Sequence, residues 1–157
     1  MDIHCPSFMV NPYRKSIEMH PAIRICPPLE DDTVFFRTLA EADILLIPAN
    51  FDADTVQFIR YSMPTRVPAY LATGRPILVY APPQIAQTKY ARECEWGLVV
   101  DEQGVANVKS GIVRLIEDRS LREKLTEAAG KVARENHDAT RVRSGFQQAL
   151  RDAAVIH

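Results

Sequence analysis

Two short apolar runs flank a helical pattern near the middle of the sequence. The runs are ADILLIP (residues 42–48) and ILVY (residues 77–80), and the helical pattern between them is PTRVPAYLATGRP (residues 64–76). Each run is too short for a helix and is rich in Ile, Leu and Val, which is typical of strands buried on both faces. Pro64 opens the helical pattern and Gly74 closes it, in line with the usual asymmetry of helix ends. Strand, helix and strand in this order predict a parallel sheet.

The same alternation extends in both directions along the chain. Further strand-sized runs occupy residues 3–5, 23–26 and 98–100, and helical patterns occupy residues 32–42 and 84–95. Alternating strands and helices imply right-handed crossovers with helices on both faces of the sheet. The sequence therefore predicts an α/β fold, a three-layer Rossmann-like doubly wound parallel sheet of about five strands, in a single domain spanning residues 1–157.

Three extra helices are expected after the last strand. Their apolar stripes are Val105, Val108, Ile112 and Leu115; Leu121, Leu125, Ala128 and Val132; and Val142, Phe146 and Leu150. Ser120 and Glu123 have the spacing of a capping box at the start of the second helix, and Asp138 is placed to cap the third.

Composition excludes several classes of protein. The net charge is −1, so a general nucleic-acid binder is not expected. The hydrophobic fraction of 46% and charged fraction of 25% are ordinary globular values, and no run approaches the length of a membrane span. No leader peptide is recognisable, and the three cysteines show no CxxC or Cys/His spacing. We expect a cytoplasmic domain with reduced thiols, no metal and no cofactor.

The most informative strand end comes at residue 47. A long connection leads from it to Ser62, Thr65 and Arg66 at the start of the short helix. Backbone N–H groups at a helix start attract anions, hydroxyls donate hydrogen bonds, and a guanidinium suits phosphate oxygens. Either these residues bind a phosphate group, or Ser62 caps the helix and Arg66 is solvated.

Acidic residues follow other strands. Asp101 and Glu102 come directly after residues 98–100, where a carboxylate either accepts hydrogen bonds from ribose hydroxyls or caps the next helix. Asp52 and Asp54 lie in the long connection, within reach of a pocket at this edge of the sheet. Arg75 precedes a strand and is expected at the opposite end of the sheet.

Several common chemistries lack their motifs. The sequence has no GxGxxG, no Walker loop and no GxSxG nucleophile elbow. The four histidines, His4, His20, His137 and His157, are scattered, and neither His137 nor the terminal His157 suggests a catalytic base.

Residues 42–48 and 64–77 together resemble the C-terminal half of GT-B-fold glycosyltransferases, in particular the retaining family 4, or glycosyl transferases group 1. The family pattern is an ADxxxxP strand, a Pro-Ser/Thr-Lys/Arg helix start and a Tyr-Leu-Ala-x-Gly-x-Pro turn. The strand at residues 96–100 and the helix pair around residues 112–122 are also similar to the family. The likeness runs from about residue 3 to residue 150.

The resemblance implies a domain that binds a nucleotide-diphosphate sugar, with UDP or GDP as the expected nucleotide. Arg66 would stabilise the diphosphate during hexosyl transfer, with Ser62 and Thr65 beside it. Asp101 and Glu102 would meet the nucleotide, and Asp52 and Asp54 would belong to a sugar or acceptor loop. A complete enzyme of this family has a second, acceptor-binding domain. By the same resemblance, we expect this chain to lack the usual opening strand and helix of the C-terminal domain. The isolated chain is therefore expected to be inactive until an acceptor domain joins it, or to self-associate through the surface on which that domain would dock.

Two other functions compete with that of a glycosyltransferase domain. Tyr61 and Ala69 stand where the family often has glutamates, which favours a non-catalytic interaction domain with a degenerate nucleotide site. A receiver-like signalling domain requires an acidic pair after the first strand and a phosphorylatable aspartate after the third. Pro6, Ser7 and Pro48 occupy those places, so a receiver function is nearly excluded.

Overall fold

The computed structural model describes residues 1–155, so His157 lies outside the described residues. The strands are β1 (Asp2–His4), β2 (Arg24–Cys26), β3 (Leu45–Pro48), β4 (Ile77–Tyr80) and β5 (Leu98–Val100). The helices are α1 (Ser7–Val10), α2 (Arg14–Glu18), α3 (Asp32–Glu41), α4 (Ala53–Ile59), α5 (Arg66–Leu71), α6 (Ala86–Glu93), α7 (Val105–Glu117), α8 (Arg119–Asn136) and α9 (Ala139–Val155). A 3₁₀ turn at Asn11–Tyr13 joins α1 to α2. Among these described helices, none combines the length and the apolar character that a bilayer crossing demands.

The chain divides into two compact units. The first, Met1–Thr38, contains a parallel ladder in which Asp2 pairs with Arg24 and His4 pairs with Cys26. The second begins at Leu39 and contains a parallel sheet in the order β3-β4-β5. The α/β class, the five strands and their parallel direction are confirmed, and the described strands pair as ladders of two and three.

The core of the second unit lies on both sides of β4. Ile77, Leu78 and Val79 are fully buried, and Leu78 packs with Leu115 of α7 and Leu125 of α8. Continuous burial of three successive residues explains why β4 is apolar throughout and does not alternate with polar residues. Helix α7 contacts β4 and β5, and α5 contacts α8. The sheet is thereby held rigidly enough to position the connections that leave its strands.

Some local expectations were wrong. Helices α1 and α2 and the capped helix α4 occupy segments where no helix was expected, and α4 lies within the long connection after β3. The side chain of Asp118 caps α8 by accepting from the Leu121 N–H at 2.8 Å, so the expected capping box of Ser120 and Glu123 does not form. Glu123 instead pairs with Arg119 one turn earlier at 2.7 Å.

The cap expected for α9 is present, but the apolar stripe expected on this helix is not buried. Asp138 accepts from the Arg141 N–H at 2.8 Å, which confirms it as the cap. The stripe of Val142, Phe146 and Leu150, by contrast, is exposed.

Gly111 allows α7 to approach the sheet closely. A Cβ atom at this buried position would lie 2.8 Å from Cγ2 of Val100 and 3.2 Å from Cδ1 of Leu78. The first distance is well below van der Waals contact, and the branched Val100 side chain on a paired strand has little room to turn. The packing of α7 on β4 and β5 therefore depends on the missing side chain.

The variant Gly111→Val should lower the free energy of unfolding by about 1–3 kcal/mol because it overpacks this contact. Gly145→Val is the matched control, since nothing lies within 4 Å of a Cβ on that residue of α9. Denaturant unfolding of both variants measures the difference. Equal stabilities would contradict the close packing of α7.

His137 joins the end of α8 to α6. Its Nε2 lies 3.0 Å from the Tyr90 hydroxyl, which also accepts from Asn136 Nδ2 at 3.1 Å. In the neutral imidazole that carries its hydrogen on Nδ1, Nε2 accepts the hydrogen of the hydroxyl while the hydroxyl accepts from the amide. Burial lowers the pKa of His137, which also favours the neutral form.

Stability should therefore depend on pH through His137. Because its folded pKa lies below its unfolded value, the stabilisation is present above the unfolded pKa of about 6.5 and is lost as pH falls through the folded pKa. Thermal unfolding between pH 7.5 and pH 5 should show this loss, and His137→Gln should flatten that part of the profile. A profile unchanged by the substitution would rule out His137 as its source.

Candidate functional site

The carboxyl ends of the three strands of the second unit meet at one edge of the sheet. Pro48 is paired with Tyr80, and Tyr80 with Val100, so the strands end at the same level. The ladder continues one residue further, because the Ala49 N–H donates to the Tyr80 carbonyl at 2.9 Å and the Ala81 N–H donates to the Val100 carbonyl at 3.2 Å. In open parallel α/β sheets, this edge is where ligands bind.

Tyr80 contacts two of the connections that leave this edge. Its ring packs against Phe51, which follows β3, with 4.9 Å between ring centroids. Its hydroxyl accepts a hydrogen bond from the Gly104 backbone N–H at 3.1 Å, just before α7 begins. Gly104 has a φ of 152°, a backbone conformation that favours glycine. One side chain thus fixes the connections after β3 and β5 relative to the end of β4.

Helix α5 begins at Arg66, two residues after the Pro64 that was predicted to open it. Thr65 is its N-cap but makes no side-chain capping bond, and the side chains of Ser62, Thr65 and Arg66 are exposed. Within residues 1–155, the Arg66 guanidinium makes no hydrogen bond or ion pair, so it is free to meet an anion. The helix has only six residues, so most of any attraction to an anion would come from this charge and little from the helix dipole.

The two acidic candidates after β5 differ in whether their carboxylates are paired. Asp101 forms an ion pair with Arg92 of α6. It does not cap α7, whose N-cap is Gly104, so the helix-cap alternative is wrong. Glu102 is exposed, and its backbone carbonyl accepts from Asn107 Nδ2 at 3.4 Å. Of the two carboxylates, only that of Glu102 is without a hydrogen-bond partner among the described residues.

The two acidic residues in the connection after β3 also differ in their hydrogen bonding. Asp52 caps α4 and accepts from Thr55 N and Thr55 Oγ1 at 2.8 and 2.7 Å. These hydrogen bonds lower the pKa of Asp52, which keeps it ionised and bound to its own helix. Asp54 lies exposed in the first turn of α4.

An apolar groove of about 390 Å³ adjoins Tyr80. Its walls come from one face of α7, namely Val105, Val108, Lys109, Ile112 and Val113. Val105 and Ile112 were expected to face the core, but Val105 is 88% exposed and Ile112 is 37% exposed. This face of α7 is apolar and open.

Sequence reasoning missed the contacts between strand ends. Neither the Phe51–Tyr80 pair nor the Arg92–Asp101 pair was anticipated. The signal for the first was an aromatic residue at or just after each of two neighbouring strand ends. No local pattern marks the second, because its partners lie on α6 and after β5.

Several solved structures share this fold. The crystal structure of WaaG, a glycosyltransferase involved in lipopolysaccharide biosynthesis, matches with a TM-score of 0.57 at 17% identity over 86% of this chain. The crystal structure of alpha,alpha-trehalose 6-phosphate synthase from Burkholderia multivorans matches with a TM-score of 0.70 at 14% identity over 99% of this chain. The fold of this chain is of the GT-B type. At these identities the likeness concerns the fold alone.

The match covers only part of each neighbour. This chain spans 34% of the length of either one, as expected for a C-terminal GT-B domain. No protein-family model matches the chain, and no curated protein matches its sequence. The resemblance seen in the sequence is therefore confirmed at the level of fold.

Removing the Tyr80 hydroxyl should weaken the link to α7. We expect Tyr80→Phe to lower the free energy of unfolding by about 1 kcal/mol, because the partly buried Gly104 N–H loses its acceptor while the ring still packs on Phe51. Tyr80→Leu should cost more, since the aromatic contact is lost as well. Denaturant unfolding compares the two, and a Phe variant as stable as the parent would show that the hydroxyl is dispensable.

Proposed function

We propose that this chain is the donor-binding domain of a retaining glycosyltransferase and binds a nucleotide-diphosphate sugar, with UDP or GDP as nucleotide. The observation that supports this most strongly is the shared fold with WaaG and the trehalose-6-phosphate synthase over 86% and 99% of this chain. The donor would lie at the carboxyl edge of β3, β4 and β5, where the connections are fixed by Tyr80.

Arg66 is the proposed catalytic residue. As the bond from the sugar to the diphosphate breaks, negative charge develops on the leaving diphosphate oxygens. A guanidinium that is not already paired with a protein carboxylate stabilises this charge without first breaking an ion pair. Ser62 and Thr65, whose side chains are exposed and do not cap α5, would donate further hydrogen bonds to the same oxygens.

We assign a different role to each carboxylate near this edge of the sheet. Glu102 would accept from the ribose hydroxyls, and Asp101, held by Arg92, would keep the connection after β5 in place. Asp54 would face the sugar or the acceptor, while Asp52 holds the start of α4. No metal is required in this proposal, because Arg66 supplies the positive charge.

The acceptor would be bound by a second domain. Transfer needs both substrates held in reacting geometry, and a donor domain alone does not position the acceptor. We propose that an acceptor-binding domain covers the apolar groove of α7 beside Tyr80, which would bury Val105 and Ile112. Self-association through the same face is the alternative to be tested by measuring oligomeric state. In either case the chain would act in the cytoplasm and alone would transfer no sugar efficiently.

A second candidate function is a non-catalytic interaction domain with a degenerate nucleotide site. Tyr61 and Ala69, in place of the family glutamates, favour it. In the structure Tyr61 is exposed, with the Arg60 guanidinium 5.3 Å from its ring centroid, an arrangement that offers no carboxylate to a sugar. Nucleotide binding separates the two functions.

Calorimetric titration of the full chain with UDP and with GDP tests the proposal. At least one nucleotide should bind, and Arg66→Ala should weaken binding by about tenfold or more, because a charge-assisted hydrogen bond contributes ~1.5–3 kcal/mol. Arg75→Ala is the matched control, since this exposed arginine precedes β4 and lies at the other end of the sheet.

The opposite results are equally clear. Absence of binding at millimolar nucleotide by the folded chain would favour the interaction domain. Equal losses in Arg66→Ala and Arg75→Ala would show that a general positive charge, and not the proposed site, attracts the nucleotide.

A further inference from the structure

Three side chains with metal-ligating atoms meet on the two-stranded ladder of the first unit. Asp2 and His4 alternate with Ile3 along β1 and share one face, and Cys26 is paired with His4 across the ladder. One ligand atom from each of Asp2, His4 and Cys26 lies within 4.8 Å of the others. The cluster stands in Met1–Thr38 and uses none of the residues proposed to bind the donor.

The hydrogen bond that His4 makes leaves one nitrogen of its ring available to a metal ion. Its Nδ1 lies 3.0 Å from the carbonyl oxygen of Pro27. A carbonyl only accepts, so Nδ1 carries the hydrogen and Nε2 of the neutral ring carries a lone pair. Ligating histidines usually donate their other N–H to a carbonyl or carboxylate in this way, which fixes both tautomer and ring orientation.

Asp2 is held as a carboxylate beside His4. Its two oxygens accept from Arg24 Nε at 2.8 Å and Nη2 at 2.7 Å. The hydrogen bond from Arg24 lowers the pKa of Asp2, and each oxygen retains a further lone pair. The guanidinium fixes the carboxylate on this face of the ladder, while its charge opposes that of a cation. A cation bound here would therefore be held less tightly than by three ligands alone.

We propose that Asp2, His4 and Cys26 form a binding site for a divalent metal ion of the zinc type, with water completing the coordination. Sulfur and imidazole ligands select zinc-like ions over Mg²⁺ and Ca²⁺, which prefer oxygen alone. Bond lengths of about 2.0–2.3 Å in a tetrahedron place ligand atoms roughly 3.3–3.8 Å apart, so small side-chain rotations close the observed cluster. On binding, the Cys26 thiol loses its proton to solvent and its sulfur bonds to the metal.

The metal would link β1 to β2. Ligands from both strands of a ladder that lies in a small unit would resist separation of the strands, so metal binding favours the folded state of that unit. Local sequence carries no signal for the complete site, because Cys26 is far from Asp2 and His4 along the chain and only the parallel register brings it beside them.

Cobalt(II) is the probe for this site. Titration of the reduced full chain with Co²⁺ should produce a sulfur-to-cobalt charge-transfer band that saturates at one equivalent and disappears when Zn²⁺ is added. Cys26→Ser should abolish the band, whereas Cys5→Ser and Cys94→Ser should retain it. His4→Gln and Asp2→Asn should each weaken Co²⁺ binding by at least about tenfold.

A wild-type chain without the band, or a band that survives in folded Cys26→Ser, would overturn the proposal. Circular dichroism establishes whether each variant folds. If Cys26→Ser does not fold, alkylation of the wild-type chain decides: Zn²⁺ should slow alkylation of Cys26, read by peptide mass, by about tenfold or more relative to Cys5. Equal slowing of both cysteines would overturn the proposal.

Discussion

The pairing of β4 on both of its edges is the constraint on which the candidate site depends. Register places Tyr80 level with Pro48 on one side and with Val100 on the other. A slip of one residue would turn the side chains of β4 to the opposite faces and break the core that Leu78 makes with Leu115 and Leu125. Because that core fixes the register, it also fixes which residues emerge together at the carboxyl edge. Tyr80 contacts Phe51 and the Gly104 N–H, so the register of β4 also determines where the connections after β3 and β5 lie.

The sequence predicted the sheet well because β4 and β5 are continuous apolar runs whose length suits only strands. It predicted α5 and the position of Arg66 because proline and glycine mark the ends of that helix. It failed for α4, where the Asp52 cap was assigned to an acidic loop. It also failed at α8, where Asp118 and not Ser120 satisfies the free N–H groups. Both failures concern helix caps, whose formation depends on the backbone conformation at each residue.

The site was only partly predictable for a different reason. Which residues come after each strand is a property of local sequence, so Arg66, Asp101 and Glu102 could be named as candidates. Which of them keep a free charge depends on contacts across the fold: Asp101 is paired with Arg92, and Arg66 has no partner within residues 1–155. The cluster of Asp2, His4 and Cys26 depends in the same way on the register of two strands. Contacts between residues far apart in the sequence therefore decide which candidate side chains are available to bind a ligand, and local sequence does not show those contacts.

We propose that a nucleotide diphosphate binds at the carboxyl edge of β3, β4 and β5. Backbone amide NMR of the isotopically labelled chain, titrated with UDP and then with GDP, tests this binding. Saturable shift changes are expected at Ala49, Phe51, Arg66 and Gly104, with little change at Gly74 and Gly97, which precede strands. Shift changes confined to the residues that precede the strands, or none at saturating nucleotide, would contradict it.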